Sequence, residues 1–332
     1  MSEPRPCLSP VPVGLEDELN EHRAATVRRI LTAVDRLSPG WSERRHLGVD
    51  PELEHAVLHH TLYETREAAR HGDHARARAA LALWEQEEIS WAPVVPTAVG
   101  PVLMAEAPSC RRSEDDRFLS PLYTLTAGPA PSARPVPRDL LLRGAGHIVD
   151  AGLGHLPAAA LGIVVLLSWR PPTGTTHSYS VTALPGTTFA DWTDDAVRWG
   201  EILLHESSHS WLNECLDALG IRLPPQPTWF SAWKRAPRPT YGILHAAFAF
   251  SLMVRYFAYV AGASAPGTTA HRYCSTRLVE ERLVLARMAA DVRQAAALVP
   301  DRRLRTVILD QVERALDSSG PGTGAPSRRQ ER

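Results

Sequence analysis

The chain has 332 residues, with 36 Lys and Arg against 37 Asp and Glu and a formal net charge of −1. That balance, with neither half strongly basic, argues against nucleic acid as the main partner. The length suffices to bury a substantial core, as one large domain or two tightly joined ones.

Residues 1–14 are proline-rich and read as a flexible arm; they lack the apolar core of a secretory signal. Residues 15–37 and 50–88 carry leucine and alanine at three-and-four spacing with charges opposite, which predicts amphipathic helices and an N-terminal helical region over 15–90. Within it His55 and His59 stand at i, i+4 with His60 beside them. No glutamate or third donor accompanies them in sequence, so they read as a solvated, histidine-rich face. From 91 to 126 the texture changes to short apolar runs between prolines, predicting strands, irregular loops and a wall for a peptide. Residues 127–137 read as a Pro/Ala/Ser linker. A helix is expected over 138–156, a buried strand over 162–169, and its antiparallel partner over 177–184 across a Pro-Pro-Thr-Gly turn.

The longest apolar run, 158–167, is ten residues, too short to span a bilayer. Residues 193–219 predict a helix with Thr193, Asp194 and Asp195 at its start as cap and favourable dipole charge. A proline- and tryptophan-rich loop follows over 222–239, then helices over 241–261, 269–298 and 301–316, and a disordered tail over 317–332. The expected class is mainly α with a small antiparallel sheet (α+β), residues 91–316 packing with the N-terminal helices as one compact unit. Cys7, Cys110, Cys215 and Cys274 are scattered without a C-x-x-C pair, which fits reduced thiols in the cytoplasm.

The most informative segment is His205-Glu206-Ser207-Ser208-His209. Histidines at i and i+4 lie one above the other on a helix face and can reach one metal ion. A catalytic site needs a third protein ligand and an open position. A metzincin would carry Gly at 212 and His at 215, where this chain has Leu212 and Cys215. A gluzincin would supply a downstream glutamate, yet residues 215–279 contain none, and Asp217 is their one aspartate. Asp217 is two helical turns beyond His209, and Glu214 points off the ligand face. His245, on the next predicted helix, is the favoured third ligand, with His271 as the alternative. Three imidazoles suit zinc, copper, nickel or ferrous iron. Glu206 would be the general base of a zinc hydrolase or metallopeptidase, or an orienting or substrate-contacting residue in an iron oxygenase.

Four blocks resemble a known family: residues 185–189 (PGTTF), 205–213 (HESSHSWLN), 231–235 (SAWKR) and 238–245 (RPTYGILH). Together they are similar to the α-ketoglutarate-dependent HExxH-type peptide β-hydroxylases, over about residues 90–300. The resemblance implies non-haem Fe(II) with α-ketoglutarate and O₂, and β-hydroxylation of a residue in a ribosomally synthesised precursor peptide. At 232 and 234 this chain has Ala and Lys where the family often has Pro and Arg. The distal carboxylate of α-ketoglutarate calls for an Arg fork or a Lys. Lys234, Arg235 and Arg238 cluster just before the His245 helix, and Arg282 is a weaker option.

Overall fold

The structure, a computed structural model, describes residues 15–44, 50–84, 92–113, 120–126, 138–167 and 177–318. The expected arm (1–14), linker (127–137), Pro-Pro-Thr-Gly turn (171–174) and nearly all of the tail (319–332) lie outside those residues. The chain divides into two compact units, Met1–Gly220 and Ile221–Arg332.

In the first unit, α1 (Glu16–Leu37) buries Leu19, Ile30 and Val34 along one stripe, as its amphipathic pattern requires. A single turn, α2 (Trp41–Arg44), follows. α3 (Pro51–His71) opens on Asp50, whose carboxylate accepts from the Glu52 amide at 3.1 Å, with Pro51 in the first turn. The single helix expected over 50–88 is two, because Asp73 caps a new one, α4 (His74–Ala82), by accepting from the Arg76 amide; residues 85–88 lie outside the described ones. Glu64, 1% exposed, ties this region together. It accepts from Arg76 at 2.7 and 2.9 Å and from the Thr124 hydroxyl at 2.6 Å, with Arg111 at 3.1 Å.

The main sheet has strand order β1-β2-β5-β7-β6, with β1 Val94–Thr97, β2 Gly100–Glu106, β5 Ile163–Leu166, β6 Ser178–Ser180 and β7 Thr187–Ala190. Its centre, β2-β5-β7, is parallel and its edge strands are antiparallel. β5 is Ile-Val-Val-Leu, buried throughout, the unbroken apolar run expected of a strand covered on both faces. The strand expected opposite β5 pairs elsewhere. β6 is antiparallel to β7, Ser178 facing Ala190, and β7 sits between it and β5. The fully buried Thr-Thr-Phe-Ala of β7 gains more from a central position than the half-exposed β6 would. A second, two-stranded sheet joins β3 (Arg111–Ser113) and β4 (Leu122–Thr124) antiparallel.

Leu103, Ile163, Val165 and Phe189 face one core with Leu53, Val57, Trp41 and Trp84. The alternate residues Val102, Met104, Val164 and Leu166 are equally buried on the opposite face. The helix expected over 138–156 is broken by a turn into α5 (Arg138–Asp150) and α6 (His155–Ala160). α7 (Ala196–Ala218) packs against α5, α6, β6 and β7.

The second unit begins with a hairpin inside the expected loop: β8 (Thr228–Ser231) pairs antiparallel with β9 (Ala236–Pro239). Three helices follow, α8 (Thr240–Ala263), α9 (Thr269–Ala296) and α10 (Arg302–Asp317). α8 is the one helix among the described residues long and apolar enough to cross a membrane, and 67% of that stretch is buried inside the protein. Trp233 at the hairpin turn stacks on Phe250 of α8, 4.8 Å between ring centres, and donates to Glu281 of α9 at 2.9 Å. The protein is thus mainly α with small sheets, the expected α+β class.

Candidate metal centre

The HExxH helix is held firmly along its length. Asp195 caps it, accepting from the Val197 amide at 2.7 Å, and the buried Trp199 donates from Nε1 to the Thr193 carbonyl at 2.9 Å. At Gly144 on α5, a Cβ would stand 2.8 Å from the Gly200 nitrogen and 2.8 Å from the Trp199 Cβ. The two helices therefore meet backbone to backbone one turn before the histidines.

His205 and His209 are half-buried, with ring nitrogens Nε2 and Nε2 3.1 Å apart and ring planes at 80°. Two imidazoles bound to one ion at about 2.0–2.1 Å have nitrogens roughly 3.0–3.4 Å apart. The pair thus stands at chelating separation. Glu206, 2% exposed, points toward the sheet edge, where the Ser178 hydroxyl of β6 donates to its Oε1 at 2.8 Å. No sequence motif marked Ser178, which lies 28 residues upstream on a three-residue strand.

In the second unit, His245 lies in the second turn of α8, half-buried, its ring 4.8 Å from that of Tyr241. One turn earlier, Gly242 has no side chain, and the Arg238 guanidinium occupies that space, with Nε 3.1 Å from where a Cβ would be. Positions 242 and 245 share a helix face, so Arg238 lies along the His245 face of α8. Lys234 and Arg235 are exposed at the hairpin turn, Arg235 in the left-handed region at φ 50°. Arg282 donates to the carbonyls of Leu316 and Ser318, so it caps α10 and is committed there. His271 sits in the first turn of α9, beyond the C-terminus of α8. At a rise of about 1.5 Å per residue that end is roughly 25 Å from His245.

The histidines of α3 are not a solvated face. His60 is fully buried: the Leu125 amide donates to its Nδ1 at 3.1 Å, and its Nε2 meets the Thr187 hydroxyl at 2.9 Å. Because Nδ1 accepts, the proton is on Nε2, which donates to Thr187. Burial pushes its pKa down to about 3. His55 is 6% exposed, with its Nε2 3.3 Å from the Nε2 of His59.

Among the described residues, no group of three or more His, Cys, Asp or Glu side chains gathers closely enough to hold a metal ion. A cavity of about 310 Å³ in the first unit, lined by Arg23, Glu52, His155 and Trp211, includes neither His205 nor His209. Compared with known proteins, the chain matches no family model and no curated protein.

Proposed function

We propose that the chain is a non-haem Fe(II), α-ketoglutarate-dependent dioxygenase that β-hydroxylates a residue of a ribosomally synthesised peptide in the cytoplasm. The observation that carries this reading is the facing imidazole pair of His205 and His209 at 3.1 Å. It is supported by the resemblance of the four sequence blocks and by the lack of any glutamate between 215 and 279. His205 and His209 would hold the ion, with His245 as the third ligand. When bound, iron with α-ketoglutarate and O₂ supplies the oxidising power that converts a C–H bond to C–OH. The chain's own part is to orient the reactants and exclude water. Arg238 is the residue that holds the distal carboxylate, because it follows the His245 face while Lys234 and Arg235 face solvent.

The test is incubation of iron-reconstituted protein with α-ketoglutarate, O₂ and any short peptide encoded beside its gene. The expected result is peptide heavier by one oxygen, with one succinate released per event. No mass gain and no succinate with any such peptide would overturn the reading. Within it, Arg238→Gln should raise KM for α-ketoglutarate by about 10–100-fold, the loss of one charge-assisted fork worth roughly 1.5–3 kcal/mol. Lys234→Ala and Arg235→Ala should leave that KM within about twofold, since an exposed charge contributes little.

One observation favours a second reading, a zinc hydrolase or metallopeptidase: Glu206 is buried and fixed by Ser178 beside the histidine pair, as a general base must be. Assay without oxygen or α-ketoglutarate separates the two. Zinc-supported peptide cleavage that falls by roughly 10²–10⁴-fold in Glu206→Gln would favour hydrolysis.

A further inference from the structure

The pairing of imidazoles at His205 and His209 recurs in the first unit, on a different helix. His55 and His59 have the same i, i+4 spacing, their Nε2 atoms are 3.3 Å apart, and their rings cross at 71°. Both border a cavity of about 70 Å³, enough for an ion and roughly one or two waters. α1 contributes His22 to its wall, and α7 contributes Ser210, Glu214 and Asp217. Glu214 is the unusual member. It is 6% exposed; its Oε2 is paired with Arg23, while its Oε1 is buried with no hydrogen-bond partner. An unsatisfied buried carboxylate oxygen costs on the order of 1–3 kcal/mol or more, so its position on a cavity wall calls for a donor or a cation.

We propose that this cavity is a second divalent transition-metal site, in which His55 and His59 supply the imidazole pair and Glu214 the carboxylate oxygen. The imidazoles already stand at chelating separation; Glu214 would reach the ion by side-chain rotation, which accounts for the lack of a gathered three-donor group among the described residues. Two further features fit. Both rings are withdrawn from bulk solvent, His55 6% exposed and His59 half-buried, so water competes little for their nitrogens. Arg23, Arg29 and Arg66 lie around the histidines. Their positive charge disfavours hard ions bound by charge, such as calcium or magnesium, and selects an ion with real affinity for imidazole, such as zinc or cobalt. The site lies wholly in the first unit and does not depend on the function proposed for His205 and His209.

The experiment strips the full chain of metal, equilibrates it with Co(II) alone under nitrogen, and measures bound cobalt after gel filtration. Wild type should carry one equivalent more than the double variant His55→Gln/His59→Gln. The double variant His205→Gln/His209→Gln should keep that equivalent, and Glu214→Gln should weaken it by at least about tenfold. Equal cobalt in wild type and His55→Gln/His59→Gln would overturn the proposal. Should that variant fail to fold, wild-type crystals grown in Co(II) decide. An anomalous peak about 2.0–2.2 Å from the Nε2 atoms of both His55 and His59 upholds it, and no peak there rejects it.

Discussion

If His205 and His209 hold iron as proposed, alanine at position 209 is expected to cost the protein that ion and its turnover, with little change in fold. His209 is half-buried on a helix held by an N-cap, a buried tryptophan and a glycine contact, none of which involves its ring. Its removal leaves His205 and the proposed His245. If a four-ligand protein site is worth about 10–16 kcal/mol, each ligand contributes roughly 3 kcal/mol, or a 100-fold change in affinity. Bound metal after gel filtration should therefore fall by one equivalent relative to wild type for a labile ion such as Fe(II), and product formation should fall to background. Tm should move by only a few degrees. Unchanged metal content in His209→Ala would show that the facing imidazoles are not a chelate.

The second large effect concerns His60, which no catalytic reading requires. His60→Ala removes two buried hydrogen bonds, orphaning the Leu125 amide and opening a void beside Thr187. The orphaned amide costs about 1–3 kcal/mol and the void about 2 kcal/mol more. A domain of this size loses roughly 2–4 °C per kcal/mol, so Tm should drop by about 10 °C or more. The same residue predicts the sign of the pH dependence. Its folded pKa is held near 3, whereas an unfolded histidine titrates near 6.5. Between those values the unfolded chain binds a proton that the folded chain refuses, so stability is full above pH 6.5 and is lost as pH falls. The loss is about 1.4 kcal/mol per pH unit for His60, with His55 and His59 adding in the same direction. Urea midpoints at pH 7, 6 and 5 measure the slope, which should be shallower in His60→Gln.

The helices were legible in sequence wherever apolar period and cap agreed, and α7 is the clearest example. Its histidine pair followed from the spacing, because i, i+4 on a helix leaves little freedom. The strand pairing was not legible: β6 and β7 are both short, and which of them lies beside β5 depends on burial across the whole sheet. Spacing also could not separate His60 from His59, although one is a satisfied core residue and the other borders a cavity. What distinguishes them is the partner each meets, Leu125 and Thr187 in one case and His55 in the other. Ser178 had no signal at all. Arg238 had a faint one, since a glycine inside an apolar helix, three residues before His245, often marks a close approach by another group.

The meeting of Gly144 with Gly200 has a consequence for how the sequence of the first unit can vary. A contact made by main chain and the Cβ of Trp199 has no rotamer to change and no methyl to trim. Drift in the surrounding sequence therefore cannot slide α7 along α5 by small steps; any side chain at 144 would force the helices apart at once. The histidine pair is carried on an element whose axial position is fixed discretely, like a notch rather than a spring. Sequence change is then channelled into segments that can vary without moving that notch, and a substitution scan of this chain should find position 144 closed while neighbouring surface positions stay open.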